Sequence, residues 1–261
     1  MSYRLLVVII NYKTPELVCD GLASLSSELD LSKDHVVIVD NNSGDNSLSV
    51  LAEYIGHRGY SDWVSVVPAD LNGGFSYGNN KGVNFAKADY YLLLNSDAYV
   101  RPQAIEGLIN TMNTDVKIGI VGPKLEWPDG LQQVSCFFNL TPINSFLMAA
   151  KTAAFTRFFA LFNVKEIPIP LELHGKIAPE WLSFACVLIR DEMVSDIGLM
   201  DEGYFMYRED NDYSRRAVEA GWGLIYESNA SVVHLNKGDS NRASLKRLPP
   251  YYFESRARYF S

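Results

Sequence analysis

Short aliphatic runs recur through the first 120 residues, and they stop on polar side chains. Residues 5–10 lead into Asn11 and Tyr12, residues 35–40 end on Asp40, and residues 90–94 end at Asn95, Ser96 and Asp97. Residues 63–67 and 118–121 are further runs of the same kind. Apolar runs this short, without polar alternation, mark strands buried on both faces. Helix-length segments separate them. Thr14, Pro15 and Glu16 supply an N-cap, a first-turn proline and a first-turn acid for a helix predicted to reach about residue 29. Further helices are predicted over 47–54, over 76–86 and from Arg101 and Pro102 onward. Strands joined by helical crossovers make a Rossmann-like, mostly parallel, twisted sheet with helices on both faces, so the fold class is α/β. Such sheets bind ligands outside the carboxyl ends of their strands, where Asn11, Tyr12, Asp40, Asn95, Ser96 and Asp97 all fall.

Beyond Pro123 the spacing changes. Residues 124–127 and 131–138 flank Pro128, Asp129 and Gly130 and read as a hairpin. Residues 181–190 read as a strand, 209–220 as a helix closed by Gly221, and 224–226 and 232–233 as short strands. A smaller antiparallel element is expected on this side. With no repeat, low-complexity tract or linker, one domain over 1–240 is the simplest organisation. Residues 139–178 would interrupt it, and 241–261 would form an aromatic, basic tail.

Composition removes several classes of function. Lys and Arg number 23 against 31 Asp and Glu, a net charge of −8, which excludes nucleic-acid binding by overall positive charge. Cys19, Cys136 and Cys186 are too scattered for a disulfide framework or a cysteine zinc site. The six aliphatic residues near the start lack a following small-residue cleavage site, and no stretch reaches the ~18 apolar residues of a membrane span. A cytoplasmic globular protein is expected.

Four groups of residues carry chemistry. Asp97, just past a buried strand, suits a hard divalent cation bridging phosphates, or else a turn. Asp40 suits a ribose or base edge, or an Asx turn into Asn41 and Asn42. Glu209, Asp210 and Asp212 crowd a helix N-terminus, whose dipole favours their ionised forms, and an ionised acid there can take a proton from a hydroxyl. Asp212 and Arg216, four residues apart, are expected to pair on one helix face. His234 follows a short strand and fits either a metal site or a structural hydrogen bond, while Lys237, Gly238 and Ser240 fit phosphate oxygens or an ordinary polar loop.

Together these segments resemble the inverting, GT-A-fold enzymes of glycosyltransferase family 2, in particular the rhamnosyltransferase-like branch. The likeness rests on Asn11, Tyr12, Pro15 and Glu16, then Asp40 to Ser43, then Asn72, Gly74, Phe75, Asn79 and Gly82. It continues through Asn95, Ser96 and Asp97, then Asp201, Glu202, Phe205, Tyr207, Glu209, Asp210 and Asp212, and ends on Gly221, Trp222, His234, Gly238 and Ser240. It covers residues 4–240 apart from 137–178.

The resemblance implies roles. Residues 1–123 would form the nucleotide-binding half and 124–240 the acceptor-binding half. Asn11, Tyr12, Asp40, Asn72 and Gly74 would hold the nucleotide, with Tyr12 stacking on the base. Asn95 and Asp97 stand at the Asp-x-Asp position, where the last acid binds a Mg²⁺ or Mn²⁺ ion on the diphosphate. His234 would be a second ligand of that ion. Asp210 would be the general base, with Glu209 and Asp212 orienting it or the acceptor. Asn95 replaces the first acid of the motif, which implies a weaker or ligand-dependent metal site. The Gln-x-x-Arg-Trp pattern of processive relatives is absent, so one sugar per encounter is expected. The implied activity moves a sugar from dTDP-rhamnose or a UDP-hexose to a hydroxyl of a glycan or lipid-linked glycan in bacterial surface polysaccharide assembly. The alternative is a non-catalytic sugar-nucleotide-binding or scaffold domain. A nicotinamide-dependent oxidoreductase is disfavoured because no Gly-x-Gly-x-x-Gly follows the first strand.

Residues 143–163 have the pattern of an amphipathic helix, with Lys151 and Arg157 but no acid. It suits the cytoplasmic face of a membrane, or packing on the domain or on a second copy in a homodimer. The tail over 247–260 is expected either to cover the acceptor site or to touch anionic lipid.

Overall fold

The computed structural model describes residues 2–137, 176–236 and 248–261. Its first half runs β1 (Ser2–Asn11), α1 (Pro15–Leu25), β2 (Asp34–Asp40), α2 (Ser47–Arg58), β3 (Val64–Pro68), α3 (Gly74–Val83) and β4 (Lys87–Asn95). Next come β5 (Ala98–Val100), α4 (Ala104–Met112), β6 (Ile118–Glu126) and β7 (Cys136–Phe137). The remainder supplies β8 (Lys176–Ile177), β9 (Trp181–Leu182), β10 (Cys186–Arg190), α5 (Asp191–Ile197), α6 (Glu209–Glu219), β11 (Gly223–His234) and α7 (Pro250–Tyr259).

One sheet has the order β3-β2-β1-β4-β10-β6-β11-β5, with β8 added against β11. β1 lies parallel to β2 and β4, β2 to β3, and β6 to β11, while β10 runs antiparallel between β4 and β6. β7 and β9 make a separate antiparallel pair. This is the expected α/β architecture. Along β1, Leu5, Val7 and Ile9 face a core shared with α1, α2 and α4, whereas Leu6 and Val8 face one shared with α3, α5 and α6. Period-two alternation between two covered faces explains why β1 is apolar at every position from Leu5 to Ile10. Each sealed Leu or Ile contributes roughly 1.5–3 kcal/mol.

Several elements differ from the sequence expectation. Residues 181–190 are two strands, not one: Trp181 stacks on Phe137 at 4.0 Å in the small sheet, and β10 begins only at Cys186. The two short strands at 224–226 and 232–233 are one strand, β11, with a bulge between Glu227 and Ser231. The Glu227 carboxylate ties that bulge down, accepting bonds from the Asn229 backbone N–H at 2.9 Å and the Thr111 hydroxyl at 2.7 Å. The hairpin after Pro123 is present but short: Trp127 N–H donates to the Leu131 carbonyl and Gln133 N–H to the Leu125 carbonyl around the bridge of Glu126 with Gln132, before the chain leaves to pair β7 with β9. α1 stops at Leu25, where Ser26 and Ser27 turn their hydroxyls back to the carbonyls of Ala23 and Ser24. Thr14 does not cap α1, because its hydroxyl donates instead to Ser96 Oγ at 3.1 Å. β5 and α5 were not expected from the sequence.

Residues 143–163 and the loop of Lys237, Gly238 and Ser240 lie outside the described residues, as does the 139–178 insertion up to residue 175. Among the described residues no helix is long and apolar enough to cross a membrane.

Candidate active site

Strand register brings the polar ends together. Asn11 stands opposite Asp40, and Ile10 opposite Asn95. Asn11 is fully buried: its Nδ2 donates to Asp40 Oδ1 at 2.6 Å and to Ser43 Oγ at 3.2 Å, and its Oδ1 accepts from the Thr14 N–H. Asp40 also accepts from the Ser43 hydroxyl at 2.6 Å and the Ser43 N–H at 3.1 Å. These two side chains therefore fasten the loops after β1 and β2 to each other. Their neighbours face the open space. Tyr12, 43% exposed and with Lys13 Nζ 5.3 Å from its ring centroid, lines it, and Asn41 lines it from a nearly sealed position.

The Asn41 amide has a defined orientation. Its Nδ2 donates to Asn72 Oδ1 and to the Gly74 carbonyl, both at 3.0 Å, and its buried Oδ1 has no partner. A buried acceptor left open calls for a ligand N–H or O–H. Sequence reasoning chose Asp40 and missed Asn41, although a one-residue step past the strand end is enough to reverse which way a side chain faces. Gly74 opens α3 at φ +85°, and a Cβ there would lie 2.0 Å from the Phe205 carbonyl oxygen. That oxygen accepts the Phe75 N–H at 2.8 Å and so joins the two halves of the chain.

Beyond the bulge, β11 pairs antiparallel with β5, placing His234 opposite Ala98. His234 Nε2 then lies 3.3 Å from Asp97 Oδ1 and 3.4 Å from Asn95 Nδ2. Gln133, which sequence reasoning missed, orients the ring. It donates to the His234 carbonyl at 2.6 Å and presents its Oε1 to Nδ1 at 3.3 Å. In the tautomer that carries its proton on Nδ1, directed at Gln133, the lone pair of Nε2 faces Asp97. An imidazole nitrogen and a carboxylate oxygen converging on one point fit a divalent cation that takes its other ligands from phosphate and water. Among the described residues no cluster of three or more His, Cys, Asp or Glu surrounds a common point, so those residues offer such an ion the pair Asp97 and His234.

Tyr207 (φ 70°) and Arg208 (φ 76°) turn the chain sharply into α6. Glu209 and Asp210 follow in its first turn. Glu209 is buried, and its Oε2 has no hydrogen-bond partner. Burial first, and then the neighbouring Asp210 charge, push its carboxyl well above the usual carboxylate range. Asp210 is half-buried, and its Oδ1 accepts the Asn211 N–H at 2.8 Å. Asp212 is placed differently. It pairs with Arg216 at 3.0 Å and Arg215 at 3.3 Å, and Arg216 continues to the carbonyls of Ile197 and Leu199.

Two cavities adjoin. One of about 240 Å³ is lined by Ser183, Phe184, Tyr207, Glu209, Asp210 and His234. One of about 650 Å³ is lined by Tyr12, Lys13, Thr14, Asn41, Asn72 and Gly74. Phe75, Asn95, Asp97 and Met206 line both. Of the residues singled out from sequence, Tyr12, Asn72, Gly74, Asn95, Asp97, Glu209, Asp210 and His234 therefore meet around one continuous space. Asn11, Asp40 and Asp212 stand behind its walls.

Comparison with known proteins bears on the family and the fold. Residues 6–134 match the family model of glycosyl transferase family 2. The chain is 27% identical over 165 residues to an N-acetylglucosaminyl-diphospho-decaprenol L-rhamnosyltransferase of Mycobacterium tuberculosis, covering 63% of this chain and 52% of that protein. It is 24% identical over 240 residues to the low-salt glycan biosynthesis hexosyltransferase Agl10 of Haloferax volcanii, covering 90% of this chain and 68% of that protein. The chain thus spans about half the length of the mycobacterial relative. The fold is shared with GalNAc-T7 crystallised with UDP, GalNAc and Mn²⁺, at a TM-score of 0.66 and 16% identity over 89% of this chain and 44% of that one.

Proposed function

We propose, from the glycosyl transferase family 2 domain to which residues 6–134 belong, that the chain is an inverting glycosyltransferase. It moves one sugar at a time from a nucleotide-sugar donor, dTDP-rhamnose or a UDP-hexose, to a hydroxyl of a glycan or lipid-linked glycan in surface polysaccharide assembly. The nucleotide occupies the larger cavity and the acceptor the smaller. The observation that carries this reading is that Asp97 and Asp210, from opposite halves of the chain, line the same cavity.

The residues divide the work. Tyr12 stacks on the base, and the open Asn41 oxygen accepts a donor-ligand N–H or O–H. Asn72 and Gly74 shape the same wall, while Asn11 and Asp40 hold the loops in register from behind. Asp97 and His234 hold a Mg²⁺ or Mn²⁺ ion, and Asn95 lies against the same imidazole. That ion, when bound, supplies positive charge against the departing diphosphate. Asp210 takes the proton of the acceptor hydroxyl as its oxygen attacks the anomeric carbon, so a single displacement inverts that centre. Burial, and then the neighbouring Asp210 charge, raise the Glu209 carboxyl, which sets it apart from Asp210 as the proton acceptor. Asp212 steadies α6 through Arg216. The domain then divides near residue 123, with the nucleotide-binding half before it and the acceptor half after it. The reaction belongs on the cytoplasmic side of the membrane, with contacts to that surface through 143–163 and 247–260.

Thermal-shift titration with UDP, dTDP, GDP and their sugars, with and without Mn²⁺, tests the reading. A ligand at about a hundred times its Kd stabilises the native state by ~2.7 kcal/mol. One nucleotide class should raise Tm, more strongly with Mn²⁺, and Asp97→Asn should remove the part that depends on Mn²⁺. No rise with any nucleotide at millimolar concentration overturns it.

A further inference from the structure

Residues 201–208 contain no helix or strand, yet they supply Phe205 and Met206 to the larger cavity and Met206 and Tyr207 to the smaller. They enter α6 through two successive left-handed residues that are not glycine, Tyr207 and Arg208. A loop in such a conformation persists only when its surroundings over-determine it. α7 supplies those surroundings through one face, with contacts at positions i, i+4 and i+7. The Tyr251 ring lies 5.2 Å from Phe205 and 6.1 Å from Tyr207, nearly parallel to the latter. Ser255 Oγ, buried, donates to the Met206 carbonyl at 2.9 Å. Arg258 grips both oxygens of Asp201, at 2.7 and 2.9 Å. From α6 itself, the Arg215 guanidinium lies 4.8 Å over the Tyr259 ring. Tyr251 also lines the larger cavity beside Phe205 and Met206.

We propose that α7 is a positioning element of the site. Tyr251, Ser255 and Arg258 hold residues 201–208 in the conformation that turns Asp210 toward the cavity of Asp97, and Tyr251 closes the larger cavity as a wall for the sugar being transferred. The positioning claim concerns the folded chain alone; the role toward a sugar rests on the glycosyltransferase reading. Gly203 offers a way to loosen the brace without deleting a group of it. A Cβ at Gly203 would lie 2.1 Å from Arg258 Cζ and push the guanidinium off Asp201.

Amide hydrogen exchange of the full chain tests the brace. Arg258→Ala and Gly203→Ala should each speed exchange over 201–208 by about tenfold or more while β1, β2 and β4 stay protected. Arg258→Lys, which keeps the charge but loses the fork, should recover part of that protection. Turnover, followed as nucleoside diphosphate release with Mn²⁺ present, should show kcat falling about tenfold or more in Arg258→Ala, with the donor KM within about threefold. Tyr251→Ala should raise the donor KM as well, and Tyr251→Phe should restore it. Exchange over 201–208 that stays at the parent's rate in both Arg258→Ala and Gly203→Ala, with the sheet protected, overturns the brace. If the parent protein releases no nucleoside diphosphate from any UDP- or dTDP-sugar, the glycosyltransferase reading fails instead, and the exchange data still decide the positioning claim.

Discussion

The wall made by the ends of β1 and β2 and the wall made by residues 201–214 face each other across one cavity, and they satisfy their polar atoms differently. On the first, Asn11 is bonded through both ends of its amide, both Asp40 oxygens are taken, and the nitrogen of Asn41 is held twice. The one open group among them is Asn41 Oδ1, which belongs to a cavity-lining residue. On the second, Glu209 Oε2, Asn211 Nδ2 and Ser214 Oγ are buried with no hydrogen-bond partner. Each such orphan costs roughly 1–3 kcal/mol. On the first wall the side chains are fastened to one another and leave a single acceptor, Asn41 Oδ1, open toward the cavity. The second carries unsatisfied groups and a left-handed turn, and it keeps its form by leaning on α7 and on the Phe75–Phe205 bond.

That contrast predicts where substitutions act. Asp210→Asn should lower transfer by about 10²- to 10⁴-fold while nucleoside diphosphate binding is unchanged, because the proposed base lies on one wall and the proposed nucleotide site on the other. Comparing product release with nucleotide titration checks this, and a parallel loss of both would erase the distinction. Gly74→Ala strikes the point where the walls touch. Its Cβ would meet the Phe205 carbonyl at 2.0 Å, and alanine would have to adopt φ +85°. A loss of about 3 kcal/mol in urea denaturation is expected, together with weaker nucleotide binding and slower turnover. Gln133→Ala frees the His234 ring without touching Asp97 or the imidazole itself, the two ligands proposed for the ion. Mn²⁺ affinity should fall by about 10- to 100-fold, measured by titration, with the melting point of the metal-free protein nearly unchanged.

How far the sequence could be read follows the same division. The strand ends were legible because a buried parallel strand needs an unbroken aliphatic run, and residues 5–10 and 90–94 could be little else. Asp97, Asp210 and His234 were legible through family resemblance. The meeting of Asp97 with His234 was not. It depends on the bulge at 227–231, where a polar stretch resembling a strand break is folded back onto Glu227 before β11 reaches β5. Asp40 and Asn41 show a different limit. Both are polar and adjacent at a strand end, and only the packing on each face decides that Asp40 ties the turn while Asn41 meets the cavity. The brace was out of reach for a third reason, since Ser255 and Arg258 bind partners 49 and 57 residues away that no local pattern links to them.

The smallest expected effect bears most directly on whether the second wall is less settled than the first. Burial, aided by the Asp210 charge, raises the Glu209 carboxyl in the folded chain, whereas an unfolded glutamate titrates near ~4.3. Below that pH both states hold the proton and the folded state is not penalised. As pH rises toward the folded value, the unfolded chain releases a proton that the folded chain retains, so stability declines. Glu209→Gln has nearly the same shape and no proton to lose. Denaturant titrations of parent and variant between pH 4 and 8 should therefore diverge as pH rises, the glutamine variant becoming the relatively more stable. Any difference already present at pH 4 belongs to the altered hydrogen bonding, and the slope alone reports the buried carboxyl. A constant difference across the range would mean that Glu209 is ionised where it stands. Its charge would then be compensated inside the wall, and the wall of residues 201–214 would be as complete as the wall at the ends of β1 and β2.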